Sequence, residues 1–268
     1  MSETIGFIGL GALGAPVAAN LLAAGYRLRV YNRTPAKADP LVAKGAVRAE
    51  SPADAAQPGG IVVTLLWDDA SVEAVVASDG FLKRLGEGGL HLSMSTISPE
   101  GSKKLAAIHA AHGVDFVEAP IFGRPDAAIA RGLWIPVAGA QAAKDRVRPV
   151  LEAMGAKGVF DFGERIGAAT TVKLVGNFLI SSAARSLMEG LTMAERNGAD
   201  PMAVVEMLTT TLFPAPIYQS YGRMIAQKTV PATQSPIGAK DLGLFISTAA
   251  RVGAPSPVAS LLSALQKA

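Results

Sequence analysis

The sequence predicts a doubly wound, mostly parallel α/β domain, then a long helix, then an all-α domain. Three observations carry this. Short apolar runs alternate with helical stretches as far as residue 163. A glycine-rich turn closes the first of those runs. Beyond Gly163 the strand pattern stops, and helix-compatible residues run from Ile166 to Asn197 without a strong turn signal. A helix of that length, roughly 45 Å at 1.5 Å per residue, can join two domains. The domains are therefore set at 1–163 and 164–268.

The first element is Thr4 to Ile8, apolar and β-branched as a buried parallel strand should be. Gly9, Gly11 and Gly14 follow as G-x-G-x-x-G. Gly9 permits the tight turn, Gly11 lets a pyrophosphate approach the backbone, and Gly14 lets the next helix pack closely. That helix, expected over Ala12 to Ala24, points free N–H groups at the phosphates. The motif alone is weak and also fits a ligand-free glycine turn. Its place between a strand and a helix, with a second strand at Arg27 to Tyr31, favours a dinucleotide site of the Rossmann type. Gly9, Leu10, Gly11, Ala12 and Leu13 are the expected cofactor contacts.

The end of the second strand selects the cofactor. An NAD site usually carries Asp or Glu there, accepting from the ribose 2′-OH. Here the residues are Asn32, Arg33 and Thr34, with no carboxylate before Asp39. Arg33 can fork onto a 2′-phosphate, and Asn32 and Thr34 can donate to its oxygens, so NADP is favoured. The alternative is that Arg33 is an ordinary exposed arginine.

Next, Thr34 is expected to cap a helix over Pro35 to Ala43, and Ser51 another over Pro52 to Ala56. Between them Ala46-Val47 reads as a short strand. Ile61 to Leu66 is a buried strand, which brings Leu65 and Leu66 to the cofactor crevice beyond the strand ends. Trp67 is a third candidate to line that crevice, with simple packing as the favoured reading. A helix near Ser71 to Ala77 leads to the strand Leu90 to Ser93, after which Ser95 and Thr96 can reach a nicotinamide ring. Ser98 caps the next helix, with Pro99 at its first position. Val114 to Val117, Trp134 to Ala138 and Val159 to Phe162 read as further strands, with a helix over Gln141 to Met154. In the second domain, Asp200-Pro201 restarts the helix that Gly198 stops. Met202 to Leu212, Pro216 to Gln227, Ala239 to Val252 and Pro257 to Lys267 read as helices.

Composition narrows the classes. Half the residues are hydrophobic and the mean hydropathy is +0.32, which suggests apolar surface buried between subunits. The net charge of +3 comes without a basic tract, so no nucleic-acid groove is expected. Cysteine is absent, which fits a cytoplasmic protein. The chain enters a strand almost at once, so no signal peptide is expected. Leu174 to Leu191 is interrupted by Asn177, Arg185 and Glu189, so it reads as a buried helix, not a membrane span. No metal site is expected.

Lys173 and Asn177 stand four apart, on one face of the long helix, with apolar flanks. Such a lysine either snorkels to water or serves a buried site. Beside a carbonyl substrate it can hydrogen-bond the oxygen and pass a proton as hydride reaches carbon, burial drawing its pKa toward the working range. Asn177 can fix the ammonium or a substrate hydroxyl.

Gly6 to Gly11, Asn32-Arg33-Thr34, Ser95-Thr96 with Pro99, Ala119-Pro120, Lys173 with Asn177, and Lys240-Asp241-Leu242 occur in an order that resembles the β-hydroxyacid dehydrogenase family over nearly the whole chain. That family includes 3-hydroxyisobutyrate dehydrogenase and tartronate semialdehyde reductase. The resemblance implies an NAD(P)-binding Rossmann domain, a helical second domain, and dimers or tetramers formed through it. It implies that Lys173 is catalytic, that Asn177 lies near substrate, that Thr96 lies by the nicotinamide and that Lys240 contacts the cofactor. A surface ion pair with Asp241 is the other reading of Lys240.

The chain departs from the family pattern at Glu118-Ala119-Pro120-Ile121-Phe122-Gly123-Arg124, where Asp-Ala-Pro-Val-Ser-Gly-Gly is usual. The usual turn holds a substrate carboxylate; Phe122 removes its hydroxyl and adds bulk. Arg124 either replaces the lost anchor or faces solvent. Ser93 stands where the family often has Asp. Ser95, Phe122, Gly123, Arg124, Lys173 and Asn177 form the expected substrate set. The expected activity is NADPH-dependent reduction of a small carbonyl or β-hydroxyacid-type compound. An imine reductase is the runner-up, because imine reductases resemble this architecture, though they usually carry Asp or Tyr in place of the lysine. A non-catalytic NADP-binding protein is the third reading, and retention of Lys173 argues against it.

Overall fold

The computed structural model describes residues 3–229 and 236–266. The chain divides into two compact units between Lys173 and Leu174.

In the first unit β1 (Thr4–Ile8), α1 (Gly14–Ala23) and β2 (Arg27–Tyr31) follow the sequence pattern closely. The helix expected over Pro35 to Ala43 is broken instead. A 3₁₀ turn covers Pro35–Ala38 and α2 covers Asp39–Val42, and the Thr34 side chain makes no capping bond. Pro40 explains the break, because it has no N–H to return to the preceding turn. Then come β3 (Val47–Arg48), α3 (Pro52–Ala55), β4 (Ile61–Thr64), α4 (Asp69–Val76), α5 (Phe81–Leu85), β5 (Leu90–Ser93), α6 (Pro99–Ala110) and β6 (Asp115–Glu118). Ser51, Asp68 and Ser98 cap α3, α4 and α6, each accepting a backbone N–H three residues on.

These six strands form one parallel sheet in the order β3-β2-β1-β4-β5-β6. The chain winds outward from β1 to β3, then restarts at β4 on the other side of β1. The order therefore reverses between β1 and β4, and a ligand crevice belongs beyond their carboxyl ends. Apolar residues on the two faces of the sheet build two cores. One is centred on Ile5, Phe7, Leu28 and Val63, the other on Ile8, Val62, Phe81 and Phe116. By area, each large apolar side chain so buried contributes about 1.5–3 kcal/mol.

The later strands do not extend this sheet. After α7 (Pro125–Ile129), β7 (Leu133–Val137) and, beyond α8 (Gln141–Ala153), β8 (Ala156–Asp161) pair parallel to each other as a separate ribbon. Isolated antiparallel bridges, Glu118 with Ala138 and Phe122 with Trp134, tie the ribbon back. Pro136 lies in β7 and has no N–H with which to lengthen that ladder.

α9 (Ala168–Arg196) is the long helix, 29 residues, and it runs through the division between units. In the second unit follow α10 (Pro201–Thr210), α11 (Pro216–Ala226), α12 (Pro236–Arg251) and α13 (Pro257–Leu265). Asp200 caps α10 by accepting from Met202 and Ala203 N–H. Lys267, expected at the end of the last helix, lies outside the described residues. The buried cluster of this unit is Leu242, Ala259 and Leu262, with Phe178 stacked on Phe245 beside it at 4.5 Å. Among the described residues no helix is long and apolar enough to cross a membrane.

Candidate active site

The glycine turn is built to hold something at its middle. Gly9 has φ +104°, and a Cβ there would stand 2.3 Å from the Leu65 carbonyl oxygen. A Cβ on Gly14 would stand 1.9 Å from the Gly9 oxygen, so the turn and α1 can close only on glycine. At Gly11 an added Cβ would meet nothing within 4 Å. Packing therefore demands glycine at Gly9 and Gly14 but not at Gly11. Its bareness fits close approach by a ligand. Ala12 is exposed and Leu10 is buried. Leu13 is the N-cap residue of α1 and offers no side-chain cap, leaving the helix N-terminus to an anion. These residues fit a dinucleotide pyrophosphate.

Asn32 also has a structural task. Its Oδ1 accepts from Leu10 N–H at 2.9 Å and its Nδ2 donates to the Thr34 carbonyl at 3.0 Å. The amide thus ties the end of β2 to the glycine turn. Arg33 and Thr34 are exposed beside it. Leu65 and Leu66 follow β4 and are half-buried, on the crevice side of the switch point. Trp67, expected to pack, is 48% exposed.

Two polar clasps shape the loops after β4 and β5. Ser95 is buried, and its hydroxyl accepts from Leu66 N–H at 2.8 Å, leaving one O–H to donate. Asp69 accepts from Ser98 N–H, at 3.1 and 3.0 Å, and from its hydroxyl at 2.5 Å. Thr96 lies between these clasps, half-buried.

Glu118, at the end of β6, is wholly buried. Its Oε1 accepts from Gly167 N–H at 2.9 Å and Ala169 N–H at 2.7 Å, and its Oε2 from the Thr170 hydroxyl at 3.2 Å. The carboxylate thus satisfies free donors at the start of α9. Burial pushes its pKa up, against the donors that clasp it. One turn further along the helix, Lys173 is only 8% exposed. Its Nζ lies over the Phe122 ring, 4.3 Å from the centroid. Phe122 is itself pinned, exchanging both backbone hydrogen bonds with Trp134 at 2.8 and 3.0 Å. Gly123 follows at φ +149°, where a Cβ would meet Leu133 at 2.5 Å. Arg124 turns toward Asp126, 3.6 Å away, with more than half its side chain exposed.

In the second unit, Asp241 is buried in α12 and holds two expected site residues. Its Oδ2 accepts from Asn177 Nδ2 at 2.6 Å, and its Oδ1 stands 3.0 Å from Lys240 Nζ. The Lys240–Asp241 pair is present, with Asp241 buried and Lys240 half-buried.

Several of these features leave little trace in the sequence. Glu118 gives one signal, a carboxylate that directly follows the apolar pair Phe116-Val117. So does His91, between Leu90 and Leu92. His91 and His109 are fully buried, Nδ1 to Nε2 at 2.8 Å. His109 Nδ1 reaches the Leu105 carbonyl, an acceptor only, so it carries the proton. That makes His91 Nδ1 the donor to His109 and His91 Nε2 the acceptor of the Thr64 hydroxyl at 2.8 Å. Both rings are neutral. Burial drives His91 well below its ordinary pKa and His109 down to about 4.

Residues 4–167 match the NAD-binding domain of 6-phosphogluconate dehydrogenase. Residues 167–268 match the NAD-binding family of NADP-dependent 3-hydroxyisobutyrate dehydrogenase. An uncharacterized oxidoreductase of Bacillus subtilis, YfjR, is 44% identical over 96% of this chain and 90% of its own. The 3-hydroxyisobutyrate dehydrogenase of Pseudomonas aeruginosa is 32% identical over 96% of this chain and 89% of its own. Among solved structures, Mycobacterium tuberculosis 3-hydroxyisobutyrate dehydrogenase with L-serine superposes with a TM-score of 0.86 at 27% identity, over 100% of this chain and 93% of that one. A dinucleotide-shaped turn at a parallel switch point, a buried lysine on α9, and matches across both halves lead to one assignment. The chain belongs to the β-hydroxyacid dehydrogenase family of NAD(P)-dependent oxidoreductases.

Proposed function

We propose that this protein is an NADPH-dependent reductase of a small carbonyl compound, working reversibly as a β-hydroxyacid-type dehydrogenase, with Lys173 as the proton donor. The observation that carries it is the buried Lys173 ammonium, fixed through α9 by the Glu118 clasp and faced by Phe122. Bound NADPH supplies the hydride. Lys173 hydrogen-bonds the carbonyl oxygen, favours the negative charge that develops there and gives it a proton. In the reverse direction the neutral amine takes the proton back from the hydroxyl. Asn177, held by Asp241, serves the substrate hydroxyl, and Lys240 serves the cofactor. Thr96 lies by the nicotinamide, while Ser95, Phe122, Gly123 and Arg124 belong to the substrate side.

NADP is preferred to NAD because Arg33 stands exposed where a carboxylate would otherwise meet the ribose. A second copy of the chain covers exposed apolar residues of the helical half, such as Met193 and Leu212, giving a dimer or tetramer. The compartment is the cytoplasm, a reading that rests on the cysteine-free composition.

The test is NADPH oxidation with aldehydes, keto acids and cyclic imines. Turnover of carbonyls is expected; turnover of imines alone would favour the imine reductase. Lys173→Ala should lower kcat about 10²- to 10⁴-fold with folding unchanged. A Lys173→Ala enzyme with full activity would remove the proposed donor. Arg33→Asp should weaken NADPH binding roughly tenfold to a hundredfold, with less effect on NADH.

A further inference from the structure

Phe122 offers the Lys173 ammonium a ring face where a hydroxyl would offer an oxygen acceptor. The contact is close, 4.3 Å from Nζ to ring centroid, and lies in the range where the negative ring face attracts a cation. The same face repels an anion. The backbone that carries Phe122 is held in place, bonded twice to Trp134 and followed by a glycine at a φ other residues rarely adopt. The neighbouring cation, Arg124, sits 3.6 Å from Asp126, so its charge is already partly answered. A substrate carboxylate lying against this strip would leave water for a hydrocarbon ring, which is costly for an unpaired charge. An apolar substituent there loses nothing and gains contact with the ring.

We propose that Phe122 is a specificity-determining residue and that the enzyme takes carbonyl compounds whose flanking substituent is uncharged and apolar, in preference to those bearing a carboxylate. This rests on the carbonyl-reductase part of the reading above and departs from its β-hydroxyacid part, because a β-hydroxyacid carries the disfavoured carboxylate. It assigns to one side chain two linked tasks, seating the ammonium and rejecting anionic substrates.

Two probes of similar length separate the cases: pentanal, and 4-oxobutanoate, which carries a carboxylate. With NADPH in excess, the wild-type protein should show a kcat/KM at least tenfold higher for pentanal. Phe122→Ser should narrow or reverse that ratio by about tenfold or more, chiefly through KM for the acid. Phe122→Asn should do the same if the serine variant fails to fold. Dissociation constants of butanoate and of butanamide for the NADP-loaded protein give a readout free of turnover, and the amide should bind more tightly to the wild type. A wild-type preference for 4-oxobutanoate overturns the proposal and leaves the reductase reading standing. So does a ratio that neither Phe122 variant moves. Failure to reduce either aldehyde while NADPH still binds overturns both.

Discussion

The two halves of the chain stabilise themselves in different ways. In the first, the sheet is covered on both faces, and strands such as Ile61–Thr64 and Leu90–Ser93 are buried at every residue. In the second, the buried cluster among the described residues is Leu242, Ala259 and Leu262. Large apolar side chains there stay exposed, among them Met193, Met207, Leu212 and Leu261. The first half completes its own core; the second presents apolar faces that association can cover. Close packing leaves little room for change in one half and much in the other.

Glycine substitution is the sharpest way to break that contrast. Gly14→Ala puts a methyl against the Gly9 carbonyl, and we expect loss of cofactor binding with about 3 kcal/mol of destabilisation, near 10 °C in Tm. Calorimetry and NADPH titration would read both. Unchanged binding would show that the turn is looser than its geometry implies.

Acid should act on the same half. The unfolded chain protonates its histidines near pH 6.5, whereas folded His109 resists until about 4. Between those values the unfolded state binds more protons, so stability falls as pH falls, by about 3 kcal/mol for His109 alone. Glu118 works the other way. Its raised folded pKa favours the folded state at low pH, and that contribution fades as pH rises through it. Denaturant melts from pH 7 to pH 4 would measure the sum. His109→Gln should flatten the slope, and an equal slope in that variant would clear the histidine pair.

In the helical half, charge tests association. Leu212→Lys, at a side chain 66% exposed, should shift the assembly toward monomer in light scattering while the first half keeps its NADPH affinity. An unchanged mass would place the interface elsewhere. The smallest effect is the mirror of the first. Gly243, inside α12, has open space around an added Cβ. Gly243→Ala should raise stability by about 0.5–1 kcal/mol. A loss instead would reveal a close neighbour across that face.

The legibility of the sequence follows the same division between local and distant causes. β1, β2 and β5 are readable because an apolar run bounded by turns encodes a buried strand in place. The caps Ser51, Ser98 and Asp200 are readable because capping is a contact two or three residues long. Thr34 fails as a cap because Pro40 breaks the helix it would start. The ribbon of β7 and β8 reads in sequence as part of the main sheet, since pairing partners are chosen by tertiary contacts that no run of residues records. The glycine turn is legible as a motif. The Glu118 clasp, the Asn32 tie and the histidine chain are not, because each joins residues 18 to 52 apart in sequence.

The Glu118 clasp has a consequence for how this enzyme can change. The ammonium of Lys173 takes its position from β6, because the carboxylate that ends that strand grips α9 only one turn before the lysine. Lys173 is thus anchored to the nucleotide-binding unit by bonds that lie within that unit. Substitutions in the later helices, outside Asn177 and Lys240, can therefore accumulate without moving Lys173 relative to the glycine turn.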